Sequence, residues 1–293
     1  MRPRSLTILV AFLATGLNAI AQMNPEERAA WNKPVKPFRI IGNIYYVGAE
    51  GVSAFLISTP SGAILLDGGF PETAPLIRQS VSELGFHLDD IKFLLNSHAH
   101  YDHCGGLTEL KRRSGAKMIA SEGDSTYSNG GWTLNCFDKT RPFPPVRVDR
   151  IIRDKETVEL GGAILTAHLT PGHTKGCTTW TMQATDSGKA YQVVFYCSTT
   201  VAGNRLIDNR AYPSIVSDYE QSFAKLQNLP CDVFLGPHGS FFHLDEKMAA
   251  LQSGRQDAFV DRDEMRKFVD QSERDFHEEL TKQERALKGS GIN

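Results

Sequence analysis

The seven residues Ser97-His98-Ala99-His100-Tyr101-Asp102-His103 constrain this chain more than any other stretch. Three imidazoles and one carboxylate fall within six consecutive positions. Apolar Phe93-Leu94-Leu95 leads in and Cys104-Gly105-Gly106 leads out, which reads as a buried strand ending in a turn and then a helix. His98 and His100 are two apart, so in extended backbone they point to the same side. Neutral imidazole nitrogens and a carboxylate oxygen are what Zn²⁺ takes in an open catalytic site.

Two later stretches repeat the grammar of a strand end followed by a tight polar turn. Thr170-Pro171-Gly172-His173-Thr174 follows a run ending at Leu169, and Gly236-Pro237-His238-Gly239 follows one ending at Leu235. Glycine and proline around a histidine fix its backbone and let another group approach closely. With the first cluster they supply His98, His100, Asp102, His103, His173 and His238, an inventory for two three-ligand zinc sites.

The rest of the chain sets the frame. A hydrophobic content of 41% and a charged content of 23% are those of an ordinary soluble protein, and a net charge of −2 gives no hint of a nucleic-acid partner. Arg2 and Arg4, the apolar run Leu6 to Leu17 and the small-x-small triplet Ala19-Ile20-Ala21 read as a signal peptide over residues 1–21, with Gln22 as the mature start. The product is then expected to be exported, to the periplasm or beyond, and free of the membrane after cleavage.

Met23 to Pro37, polar and proline-bearing and carrying Trp31, reads as an ordered arm or coil over the surface. From Phe38 strands, helices and turns alternate. Glu122 to Val146 reads as a long irregular loop whose Trp132 either walls a pocket or packs on its own loop. A second strand-rich half is expected from near Arg150, and a long amphipathic helix from Asp261 to Leu287. The expected class is a layered α/β protein with two mixed sheets and outer helices.

The set His-x-His-x-Asp-His, followed by two further histidines, resembles the metallo-β-lactamase superfamily from about Phe38 to the C-terminal helix. The resemblance implies a four-layer αβ/βα sandwich, formed by a single domain over residues 22–293, with metals at one edge between the sheets. His98, His100 and His173 would hold one zinc, and Asp102, His103 and His238 the other. Asp67, in Asp67-Gly68-Gly69, would support the metal loop by hydrogen bonding without being a ligand.

Several chemistries share this superfamily. In its glyoxalase-II-like, lactonase-like and RNA-processing members an aspartate bridges the metals at the end of the strand between the last two histidines. Here that strand, Gln192 to Tyr196, runs into Cys197-Ser198-Thr199-Thr200 with no aspartate. Cys197 is either a zinc ligand, as in two subclasses of true metallo-β-lactamases, or is paired with Cys177. Pairing leaves Ser198 to match a non-ligand serine of the third subclass, B3, which the Pro-Gly-His-Thr run from Pro171 also resembles.

That subclass implies a dizinc β-lactamase conferring antibiotic resistance. Its metal-bound hydroxide would open penicillins, cephalosporins and carbapenems, with Asp102 orienting it. Ser198 and Thr200 would either contact the substrate carboxylate or simply cap their loop. A related lactonase or thioester hydrolase is the alternative, and a non-catalytic zinc protein a third. The β-lactam is the one partner expected, and a monomer is favoured. Cys104, where the resemblance implies a small residue such as alanine, reads as a silent buried thiol, the alternatives being that it perturbs the second zinc or, if exposed, is open to oxidation.

Overall fold

Alternate residues of the strand Phe55–Thr59 (β3) enter different cores. Phe55 and Ile57 belong to one hydrophobic cluster and Leu56 to the other, and the next strand, Gly62–Leu66 (β4), splits Ile64 and Leu66 from Ala63 and Leu65 in the same way. The period of two in a strand delivers its side chains to opposite faces. A sheet with both faces apolar needs cover on both sides, and this requirement generates the layers.

The structure, a computed structural model, describes residues 23–134 and 143–289; the expected signal peptide and Cys136 lie outside them. The first sheet has seven strands. Phe38–Ile41 (β1), Ile44–Tyr46 (β2), β3 and β4 form an antiparallel meander. Ile91–Leu95 (β5) and Lys117–Ser121 (β6) then add in parallel. Helices Thr73–Glu83 and Leu107–Ser114 cover the outer face, burying Ala74, Ile77 and Val81 from one and Leu107 and Leu110 from the other.

The second sheet has five strands. Thr157–Leu160, Ala163–Leu169, Thr178–Asp186 and Lys189–Phe195 run antiparallel, and Val233–Leu235 joins the last of these in parallel. Its outer helices are Ile215–Gln227 and Glu264–Gly289, which meet through Tyr219, Phe223 and Phe276. Both sheets are mixed and lie between helices, the αβ/βα sandwich expected. The sheets are stitched together at one edge. Trp180 Nε1 donates to the Asn96 carbonyl at 3.0 Å, and Thr178 N donates to the Ser97 carbonyl at 2.8 Å.

Three sequence expectations need correction. Glu122 to Val146 is not simply irregular: Ser125–Ser128 and Gly131–Leu134 form a hairpin, and Val146–Val148 adds a third strand to it. Arg150–Ile152 pairs in parallel with β6, so it closes the first sheet rather than opening the second half. The N-terminal arm contains a helix, Pro25–Trp31 (α1), capped by Asn24, whose side chain accepts from Glu26 N. Among the described residues no helix is long and apolar enough to cross a membrane.

Candidate metal centre

Each turn with a candidate ligand sits at the C-terminal end of a strand, all at the stitched edge. β5 ends at Leu95 and delivers His98 and His100; the strand ending at Leu169 delivers His173; the strand ending at Leu235 delivers His238. Asp102 and His103 follow on the one-turn helix Tyr101–Cys104. The first turn is held by Asp67, whose Oδ1 accepts from Ser97 N at 2.7 Å. Asp67 itself adopts φ of +64°, a conformation that costs an aspartate less than most residues. Asp124, which the sequence did not single out, ties two turns together. Its carboxylate accepts from Gly176 N at 3.0 Å and from Asn96 Nδ2 at 3.4 Å, and burial pushes its pKa up to about 6.

The six side chains converge as two trios. His98, His100 and His173 form one, and Asp102, His103 and His238 the other; within each, the ligand atoms lie within 4.8 Å of one another. His173 Nε2 stands 3.2 Å from His98 Nε2 and 3.1 Å from His100 Nδ1. Nitrogens around a tetrahedral zinc at its usual bond length stand roughly 3.3 Å apart. In the second trio Asp102 Oδ2 lies 3.3 Å from His103 Nε2 and 3.8 Å from His238 Nε2.

The outer nitrogens are spoken for. His173 Nδ1 donates to the Thr200 carbonyl at 2.7 Å, and His238 Nδ1 donates to the Gly51 carbonyl at 2.9 Å. Each bond fixes the tautomer and turns the Nε2 lone pair inward, as outer partners of metal-bound histidines do. Burial and the neighbouring imidazoles hold His98 and His173 well below the usual histidine range, and bring His238 down to about 4. They are therefore neutral, the form that binds metal. Burial opposes charge on Asp102 and His103, but their mutual attraction wins: it keeps Asp102 ionised and raises His103.

The fit to a metal rests on one atom in particular. His103 Nε2 is fully buried, and although Asp102 Oδ2 stands 3.3 Å away, no group meets it in hydrogen-bond geometry. Leaving such an atom unsatisfied costs about 1–3 kcal/mol. It faces Asp102 and His238, where a cation would satisfy all three.

Comparison with known proteins agrees with this geometry. The family model for the metallo-beta-lactamase superfamily matches residues 47–238. The chain belongs to the metallo-β-lactamase superfamily.

Among solved structures it is similar to BJP-1, a subclass B3 metallo-β-lactamase of Bradyrhizobium japonicum. That match has 40% identity and a TM-score of 0.82, covering 88% of this chain and 98% of that one. It is similar also to the FEZ-1 metallo-β-lactamase from Legionella gormanii, at 42% identity and a TM-score of 0.82, covering 86% and 98%. These matches support the resemblance to the third subclass. Curated relatives include a protein of Bradyrhizobium sp. (strain ORS 278) named hydroxyacylglutathione hydrolase. It is 27% identical over 61% of this chain, and the match spans 58% of that protein's length.

The strand Lys189–Phe195 runs into the turn where the sequence leaves Cys197 either a zinc ligand or a disulfide partner. There Cys197 is bonded to Cys177, with Cα atoms 5.8 Å apart, so its sulfur is spent. Ser198 is buried, and its Oγ accepts from Thr200 N and meets Thr200 Oγ1 at 3.1 Å. Ser198 does not reach the cavity over the metal centre, whereas Thr200 does. Cys104 is fully buried and its thiol donates to the His98 carbonyl at 3.1 Å.

The cavity is about 1090 Å³. Met23, Trp31 and Phe241 give its lining apolar surface, with Asn24 and Glu27 on the same arm as the first two, and Lys175, Asn204 and Asn209 add polar surface. Trp132 is absent from this lining and packs against Tyr127 across its own hairpin, with ring centroids 5.3 Å apart. The tryptophan that walls the cavity is Trp31, on the stretch read from sequence as an ordered arm or coil over the surface. A polar segment with a single aromatic gives no periodic signal, so the sequence carried no mark of this role beyond the residue itself.

Proposed function

We propose that this chain is an exported dizinc β-lactamase that hydrolyses the cyclic amide of penicillins, cephalosporins and carbapenems, and so confers antibiotic resistance. The observation that carries the reading is the pairing of two complete ligand trios with a strand end at Cys197-Ser198 that offers no bridging carboxylate. His98, His100 and His173 would hold one zinc, and Asp102, His103 and His238 the other. When bound, the ions activate a water at neutral pH and polarise the amide carbonyl.

The chain's own residues supply the rest. Asp102, kept ionised beside His103, accepts a hydrogen bond from the attacking water and orients it. Thr200 Oγ1 contacts the substrate carboxylate, and Ser198 acts through it by fixing its rotamer. The apolar surface of Trp31 and Phe241 excludes water from one side of the bound ring.

Purified protein should hydrolyse a penicillin, a cephalosporin and a carbapenem, and lose that activity to a chelator. Full turnover after complete metal removal sinks the mechanism. The relatives named hydroxyacylglutathione hydrolase favour a second reading, a hydrolase of the thioester type. Robust cleavage of a glutathione thioester with no β-lactam turnover would move the chain there. Export, with residues 1–21 removed, predicts a periplasmic product beginning at Gln22, which intact mass of the mature protein tests.

A further inference from the structure

Trp31 and His238 are far apart in sequence, yet their rings meet edge to face with centroids 4.9 Å apart. Gly51 lies between their backbones. Its N–H donates to the Trp31 carbonyl at 2.9 Å, and its own carbonyl accepts the His238 Nδ1–H at 2.9 Å. A Cβ on Gly51 would stand 2.6 Å from Trp31 Cβ and Cγ, so the relay requires glycine for closeness. Phe241 and His103 pack on the same imidazole, at 5.0 and 4.7 Å between centroids.

The arm that carries Trp31 is itself pinned. Glu50 N donates to the Lys33 carbonyl at 2.9 Å, and Arg28 pairs with Glu72 while lying over the rings of Phe70 and Tyr101. Tyr101 sits in sequence between His100 and Asp102. The Asp102–His103–His238 trio is thus braced from the N-terminal arm, whereas His98 and His173 take their outer bonds from Ser97 and Thr200.

We infer that Trp31 is a positioning residue for His238, and that the docked arm sets the affinity of the second metal position without touching the metal. Its ring limits the tilt of the imidazole, and its carbonyl, through Gly51, fixes the acceptor that holds the tautomer. The inference rests on the dizinc reading above. It concerns one position of the two, so a selective effect identifies it.

The test uses metal-stripped full-length protein. Zinc-binding isotherms against a chromophoric chelator are measured for wild type, Trp31→Ala, Trp31→Phe and Gly51→Ala, with thermal unfolding of each metal-free form. Trp31→Ala should weaken one zinc affinity by about 10–100-fold and leave the other unchanged, the cost usual for a lost outer partner. Gly51→Ala should follow it. Trp31→Phe, which keeps an aromatic edge, should stay within roughly threefold of wild type.

Two zincs bound by every variant with wild-type affinities overturn the inference alone. Equal weakening at both positions, matched by a lower unfolding midpoint of the metal-free form, overturns it by reducing Trp31 to a packing residue. A wild-type chain that binds one zinc overturns the dizinc reading and the inference together.

Discussion

His173 donates from Nδ1 to the carbonyl oxygen of Thr200 at 2.7 Å, which leaves Nε2 facing His98 and His100 at 3.2 and 3.1 Å. One backbone carbonyl therefore decides which nitrogen is available to a metal. Thr200 also lines the cavity, so the residue that orients a candidate ligand borders the space a substrate would enter.

His173→Ala should lower β-lactam turnover by more than the roughly 100-fold that loss of an outer partner costs, since it removes a donor itself. Steady-state kinetics in excess zinc checks this. In the metal-free wild type, nitrogen-15 NMR should find His173 neutral at pH 7 with its proton on Nδ1, in keeping with its lowered pKa.

Replacing both Cys177 and Cys197 by serine should cost about 3 kcal/mol of stability, the loop-closure entropy of a crosslink spanning 20 residues. Urea unfolding of the wild type and double variant measures it. An unchanged midpoint would mean that packing alone holds the two turns together.

Asp232 joins the entry of the strand Val233–Leu235 to its neighbour. Its Oδ2 accepts from Gln192 N at 2.8 Å and its Oδ1 from Arg262 Nε at 2.7 Å. The Gln192 amide first, and Arg262 after it, hold this carboxyl below the usual range against a smaller opposing effect of burial. A carboxyl with a lowered folded pKa stabilises above its unfolded value, near 3.9, and that contribution disappears as the pH falls through the folded value. Asp232→Asn should therefore be less stable than wild type at pH 7, by no more than about 1 kcal/mol. The difference should close in acid, as denaturant unfolding between neutral and acid pH would show.

Lys247 and Glu264 form a buried ion pair, with side chains 8% and 9% exposed, between the helix Leu244–Gln252 and the C-terminal helix. Lys247 also lies over the rings of Phe242 and Phe259. Lys247→Met should destabilise by about 3–5 kcal/mol, because it strands a buried carboxylate. Burial raises the Glu264 pKa even beside the lysine, so the defect should shrink as the pH is lowered and the acid protonates. The double variant Lys247→Met, Glu264→Leu should recover most of the loss.

The ligand turns were legible because chemistry and local structure coincide there. Imidazoles at positions two apart, after Phe93-Leu94-Leu95, leave few alternatives to a strand that ends at a metal. The sheets were legible for a similar reason, as in the alternation of Phe55, Leu56 and Ile57. The hairpin Ser125–Leu134 was not, because Thr126, Tyr127 and Ser128 are exposed and no apolar period marks them. Nor was α1, whose seven residues bury nothing fully and whose place is set by Arg28–Glu72 and by the fit of Trp31 against Gly51. Those are contacts between segments distant in sequence, and a one-dimensional pattern does not carry them.

The bond between Cys177 and Cys197 has a consequence for which ion the protein accepts. Both sulfurs lie within 4.8 Å of a ring nitrogen of His98. Reduced, they would present soft thiolates that favour Cu⁺ over an imidazole-only set. Oxidised, they have no thiolate to give, and an arriving ion meets nitrogen alone. Kept as a cystine, the pair would bias the site toward ions that imidazole holds. Under a strong thiol reductant the protein should gain affinity for Cu⁺, and the double serine variant should not.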